Sequence, residues 1–195
     1  MTRLNLAILI SGRGSNMQAI LDACETSDYP AKPVLVLSNV PAAEGLKHAS
    51  ARGIATKAID HKPFGKDRQS FEEKIHEGLL SANTEIIALA GFMRVLTPWF
   101  VNQWEGRMVN IHPSLLPKYP GLHTHKRALE AGDQEHGCTV HWVNSEVDQG
   151  AVIEQSAIRI GPEDTPDGLA ERLLPVEHEL YPSALAKACH TILER

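Results

Sequence analysis

LNLAILISGRGSNMQAILDAC, residues 4–24, is the stretch on which the fold turns. Leu4 to Ile10 is an apolar, leucine- and isoleucine-rich run of strand length. Ser11 to Asn16 is a polar loop carrying two glycines. Met17, Ile20, Leu21 and Cys24 then recur at i, i+3, i+4 and i+7, which draws one apolar stripe along a helix. A strand, a tight polar loop and an amphipathic helix in that order open a βα unit.

The alternation continues down the chain. Pro33 to Leu37 reads as a second strand, Ala42 to Arg52 as a short helix stopped by Gly53, and Ala55 to Ile59 as a third strand. A helix with Phe71, Ile75 and Leu79 on one face precedes Ile86 to Ala90, which is apolar on both faces and so belongs in the sheet centre. Thr97-Pro98 caps a helix that Gly106 ends, before a strand over Met108 to Ile111. Cys138–Val143 and Ala151–Ile160 are too close for a crossover helix and predict an antiparallel hairpin. The tail from Asp167 is helical in composition, with kinks or breaks expected at Pro175 and Pro182. The expectation is one compact unit on a continuous, mostly parallel sheet, with an N-terminal lobe over 1–105 and a C-terminal lobe over 106–195.

Composition narrows the function classes. The chain has 195 residues, 43% of them hydrophobic, enough for a sizeable core without disulfides. A net charge of −5 and 5% aromatic content argue against a general nucleic-acid or anionic-membrane binder. Cys24, Cys138 and Cys189 are odd in number and widely spaced, which fits a reducing cytoplasm better than a disulfide framework. The first apolar run is too short for a signal peptide, and Ile86 to Met93 falls far below the ~20 residues of a membrane-spanning helix. Trp99, Trp104 and Trp142 are expected in the core.

Three places could carry chemistry. Ser11 to Asn16, between strand and helix, offers free N–H groups to an anion. No Gly-Lys-Ser/Thr follows, Met17 stands where a third dinucleotide-binding glycine belongs, and Ser38-Asn39 replaces a ribose-binding acid, so a phosphomonoester is expected rather than ATP or NAD. The alternative is a tight turn with no ligand. Asn110 and His112 fall on one side of a strand at its carboxyl end, where an amide and an imidazole could meet a developing oxyanion, or where the histidine could simply be satisfied by backbone. Asp148 could hold His112 charged, or serve only in an Asp-x-Gly turn. His123, His125, His136 and His141 raise a metal question, but no second ligand pattern backs it, and no metal is expected.

Taken together, Ser-Gly-Arg-Gly-Ser-Asn at 11–16, Ala-Gly-Phe-Met-Arg at 90–94, Asn-Ile-His-Pro-Ser-Leu-Leu-Pro at 110–117, Tyr-Pro-Gly-Leu-His-Thr-His at 119–125 and Asp148-x-Gly150 resemble the phosphoribosylglycinamide formyltransferase family. The resemblance implies a Rossmann-like α/β formyltransferase fold, with helices on both sheet faces. It implies formyl transfer from 10-formyltetrahydrofolate, the co-substrate, to the amine of glycinamide ribonucleotide in purine biosynthesis, with Asn110, His112 and Asp148 as the catalytic trio. Gly14, Ser15, Asn16 and Glu177 match ribonucleotide-binding positions. Arg68, Met93, Arg94, Val95, Leu96 and Asn110 match folate-binding ones. The expected partners are these two small molecules, with no nucleic acid and no membrane, and the chain is expected to be a cytoplasmic monomer or weak homodimer.

Two departures from the family pattern stand out. Leu174 occupies a position where relatives often carry a polar residue, and the chain stops at Arg195 where the family usually continues into a short extended tail, with a consequence expected for stability or self-association. Methionyl-tRNA formyltransferase and formyltetrahydrofolate hydrolase share the Asn-x-His…Asp block, but each would be expected to carry a further domain. A sugar-phosphate sensor would need the loop and not the trio.

Overall fold

A computed structural model describes residues 2–195. The elements run β1 (Leu4–Ile10), α1 (Ser15–Cys24), β2 (Ala31–Ser38), α2 (Glu44–Ala51), β3 (Thr56–Ala58), α3 (Arg68–Ser81), β4 (Ile86–Leu89), α4 (Pro98–Gln103), β5 (Met108–His112), α5 (Thr124–Glu130), β6 (Glu135–Trp142), β7 (Val152–Arg159) and α6 (Pro166–Leu193). They build one seven-stranded sheet in the order β3-β2-β1-β4-β5-β6-β7. β1 to β5 pair in parallel, and β6 and β7 are antiparallel to their neighbours.

Side-chain alternation in β1 divides the core into two layers. Leu6, Ile8 and Ile10 meet α1, α2 and α6 on one face, while Ala7 and Leu9 meet α3 and α4 on the other. β4 is the fourth of seven strands and all four of its residues are buried, as its two-faced apolar sequence requires. The chain begins at β1, travels outward to β3 and then returns on the opposite side to β4. The loops after β1 and β4 therefore diverge, and the crevice at such a switch point, at the carboxyl ends of the strands, is where open α/β sheets bind ligands.

The C-terminal helix differs from the sequence expectation. α6 runs unbroken through Pro175 and Pro182 for 28 residues. Each interior proline costs a helix about 3 kcal/mol. One face of α6, however, buries Leu169, Leu173, Leu180, Tyr181, Leu185 and Cys189 against the sheet, at roughly 1.5–3 kcal/mol for each large apolar side chain. The Tyr181 hydroxyl also donates to Leu89 O at 2.9 Å and stands 3.3 Å from Val109 O, clamping β4 to β5. Of the tryptophans, Trp104 is in the core, whereas Trp99 and Trp142 are half-buried against it. β6 begins at Glu135, earlier than its apolar residues, because β7 supplies ladder partners out to Arg159.

Candidate active site

Four polar side chains converge beside the end of β5. Asn110 and His112 alternate along that strand, and the antiparallel register sets His141 of β6 opposite Asn110. Asp148 comes from the β6–β7 connection at φ +55°, a left-handed conformation that aspartate tolerates better than most side chains. Its Oδ2 lies 3.3 Å from His112 Nδ1 and accepts the Gly121 N–H at 2.8 Å, while its Oδ1 lies 3.7 Å from His141 Nε2. His112 Nε2 donates to Tyr119 O at 2.9 Å, and His141 Nδ1 donates to Trp142 O at 2.9 Å. Carbonyls only accept, so a hydrogen sits on each of those nitrogens. His141 Nε2 thus faces Asp148 Oδ1 and also stands 3.3 Å from the Asn110 amide nitrogen.

His112 and His141 are buried, so charge here is weakly screened. Burial alone would raise the Asp148 pKa. Hydrogen bonds from His141 and the Gly121 N–H, with the charges of His112 and His141, outweigh it and hold the carboxyl below its ordinary value. An amide donor, an imidazole and an ionised carboxylate in one buried cluster can stabilise negative charge on an oxygen and keep a proton beside it. The structure brings Asn110, His112 and Asp148 together, and adds the Tyr119 carbonyl and His141, which the sequence reading weighs only as a metal ligand. The predicted hairpin was the available signal for His141, but strand register is set across the sheet and cannot be counted from one strand.

A second group forms where β1 meets α1. Gly14, at φ +74°, caps α1 with no side-chain cap, which leaves first-turn N–H groups free for an anion. Glu177 of α6 accepts from Asn16 Nδ2 at 2.7 Å. Burial raises the Glu177 pKa, and the Asn16 amide opposes that. Asn16 Oδ1 is buried without a partner among the described residues. Beside this group lies a cavity of about 560 Å³ lined by Ser15, Gln18, Asp22, Pro175 and His178. Gly45 was not anticipated: its N–H donates to Gly12 O at 3.1 Å, and a Cβ there would come within 3.2 Å of the Gly12 and Arg13 carbonyls. Ser38 and Asn39 are buried supports, with Asn39 Oδ1 accepting from Ser11 Oγ at 2.5 Å.

The third group is the loop after β4. Met93 and Val95 are 68% and 60% exposed, unusual for apolar side chains, whereas Arg94 and Leu96 are half-buried. α3 holds this loop twice. Arg68 donates to the Val95 carbonyl, and one turn later the buried Glu72 accepts the Thr97 N–H at 2.8 Å and the Thr97 hydroxyl. Met93 N–H donates to Ser11 Oγ at 2.8 Å, joining this loop to the anion loop. β4–β5 pairing sets Asn110 beside Leu89, at the same sheet end. Among the described residues no hydrogen bond links Gly14, Ser15, Asn16 or Glu177 to Asn110, His112 or Asp148, and no cluster of three or more His, Cys, Asp or Glu could hold a metal ion.

Comparison with known proteins gives a consistent answer. The formyl transferase family matches residues 4–185. Phosphoribosylglycinamide formyltransferase of Escherichia coli (strain K12) is 46% identical over 183 residues, covering 94% of this chain and 86% of that one. The trifunctional purine biosynthetic protein adenosine-3 of Drosophila melanogaster is 50% identical over 186 residues, and this chain spans only 14% of its length. The crystal structure of phosphoribosylglycinamide formyltransferase from Brucella melitensis superposes with a TM-score of 0.91 at 45% identity, covering 96% of each chain.

Proposed function

The chain belongs to the formyl transferase family, and on that footing we propose that it moves the formyl group of 10-formyltetrahydrofolate to the amine of glycinamide ribonucleotide. The observation that carries this reading is the convergence of Asn110, His112 and Asp148, from a strand and a distant connection, at the switch-point end of the sheet.

In this proposal Gly14, Ser15 and Asn16 take the ribonucleotide phosphate on the N–H groups of α1, and Glu177, tied to Asn16, faces the glycinamide end. The exposed apolar Met93 and Val95, with Arg94, Leu96 and Arg68 at the loop margin and Asn110 at its base, suit a flat, partly apolar ring system with an acidic tail. The neutral amine adds to the formyl carbon, forming a C–N bond. The Asn110 amide and protonated His112 stabilise the resulting oxyanion, and Asp148 keeps His112 charged and passes protons through water. The bond from the formyl carbon to the folate nitrogen then breaks, and that nitrogen takes up the proton lost by the amine.

The same reading makes the protein a cytoplasmic monomer or weak homodimer, acting on two small molecules and needing no metal. Three unpaired, buried cysteines suit a reducing compartment, and among the described residues no helix is long and apolar enough to cross a membrane. The test mixes purified protein with 10-formyltetrahydrofolate and follows folate absorbance with and without glycinamide ribonucleotide. Tetrahydrofolate released only with the ribonucleotide supports the transferase. Equal release without it indicates a hydrolase, and no release in either case refutes the reading.

A further inference from the structure

The two ring nitrogens of His112 point to different surroundings. Nδ1 faces Asp148, whose carboxylate also approaches His141, and His141 in turn meets Asn110. Nε2 points the other way, onto the Tyr119 carbonyl at 2.9 Å. The nitrogen on the Asn110 side is therefore Nδ1, and the Tyr119 carbonyl occupies the opposite edge of the ring.

Tyr119 is itself held from outside. Its backbone has φ +55°, a conformation that an aromatic residue rarely adopts without external support. Its hydroxyl donates to Asp133 Oδ2 at 2.9 Å, just beyond the end of α5, and the Arg127 guanidinium of α5 lies over its ring, 5.2 Å from the centroid. Arg127 Nη1 also donates to Pro120 O at 2.6 Å. Lys118 Nζ reaches the same Asp133 oxygen at 3.0 Å, and Ser114 Oγ donates to Lys118 O at 2.6 Å. The loop that carries the carbonyl is thus clasped to α5 by contacts that include none of the proposed substrate-binding side chains.

Resting on the formyl-transfer reading, we propose that Tyr119 is a positioning residue: the Tyr119–Asp133–Arg127 clasp fixes the Tyr119 carbonyl, which holds His112 by Nε2 and so presents Nδ1 to the reacting oxygen. A misplacement of about 1 Å in a reacting group can cost ~100-fold in rate, so loosening the clasp lowers turnover without weakening substrate binding.

The experiment compares wild type, Tyr119→Phe, Asp133→Ala and Asp133→Asn by steady-state formyl transfer and by imidazole ¹H–¹⁵N spectra of ¹⁵N-histidine protein. Tyr119→Phe and Asp133→Ala are expected to lose about 10-fold or more in kcat with KM for both substrates within about twofold, and to move the His112 Nε2 resonance. Asp133→Asn, whose amide oxygen still accepts from the Tyr119 hydroxyl, is expected to keep most of the turnover. Arg127→Lys serves as a second probe of the clasp if Tyr119→Phe fails to fold. An active wild type whose variants keep their kcat and Nε2 resonance overturns the inference, as does a rise in KM alone. An inactive wild type counts against the formyl-transfer reading instead, and the Nε2 resonance then decides the clasp by itself.

Discussion

His112 faces only acceptors, a carboxylate at Nδ1 and a carbonyl at Nε2, so it satisfies both only when each nitrogen bears a hydrogen. That is the form that stabilises an oxyanion. His112→Ala and Asn110→Ala are each expected to lower kcat by about 10²–10³ while leaving the thermal midpoint near wild type, as measured by formyl transfer and circular dichroism; near-normal turnover in either would remove that residue from the mechanism. A different histidine contributes to the pH dependence of stability, beside His125 and His178, whose pKa values burial also lowers. His136 is buried with its Nε2 2.9 Å from His125 Nδ1, and burial first, then the charge of His125, lowers its pKa to about 4, the Pro113 carbonyl and Asp133 opposing in part. In the unfolded chain it titrates near 6.5, so between about pH 6.5 and 4 the unfolded state binds more protons, and stability falls as pH falls through that window. Thermal midpoints from pH 7 to 4.5 should drop more steeply for wild type than for His136→Gln, and parallel lines would show that His136 carries none of the slope.

Elements explain which parts of this molecule were legible in the residues. The stripe of Met17, Ile20, Leu21 and Cys24 is the buried face of α1, because helical periodicity is local and puts those four positions on the side that packs against the sheet and α6. The limits of β1 were legible for the same reason. α6 was not, since proline content is a local signal and the burial that carries the helix through Pro175 and Pro182 is tertiary. In the site, Asn110 and His112 follow from alternation along one strand, whereas His141 depends on register with another. Gly14 is the sharpest element-level test. A methyl group there would meet Met17 Cε at 3.1 Å and Gly45 Cα at 3.3 Å, at a φ of +74° that L-residues avoid at about 1–2 kcal/mol. Gly14→Ala should raise KM for glycinamide ribonucleotide by about tenfold, roughly 1.4 kcal/mol of binding, with little change in kcat. A variant with unaltered KM would detach the loop from phosphate binding.

At the scale of the whole molecule, residues 1–105 and 106–195 share one continuous sheet. β4 and β5 pair across the boundary from Ile87–Met108 to Leu89–Asn110, and Tyr181 of α6 bonds to a carbonyl on the β4 side with one from β5 close by. Trp104, numbered in the first half, packs in a cluster with Met108 of the second, and α6 of the second half packs on α1 of the first. Separating the halves would expose apolar surface on both and break a parallel strand pair, so each half is poorly stable without the other. Asn110, His112 and Asp148 lie on the C-terminal side of that seam and the Ser11–Asn16 loop on the N-terminal side, so under the proposed function halves that opened independently would lose the alignment of the two substrates. The expected outcome is one cooperative unfolding transition, read with single-tryptophan variants. Trp99→Phe with Trp142→Phe leaves Trp104 as reporter, and Trp99→Phe with Trp104→Phe leaves Trp142. In each variant, urea midpoints from fluorescence and far-ultraviolet circular dichroism should coincide. If the two reporters separated from the dichroism in opposite directions, the lobes would be independent folding units and the sheet's continuity would be geometric rather than energetic.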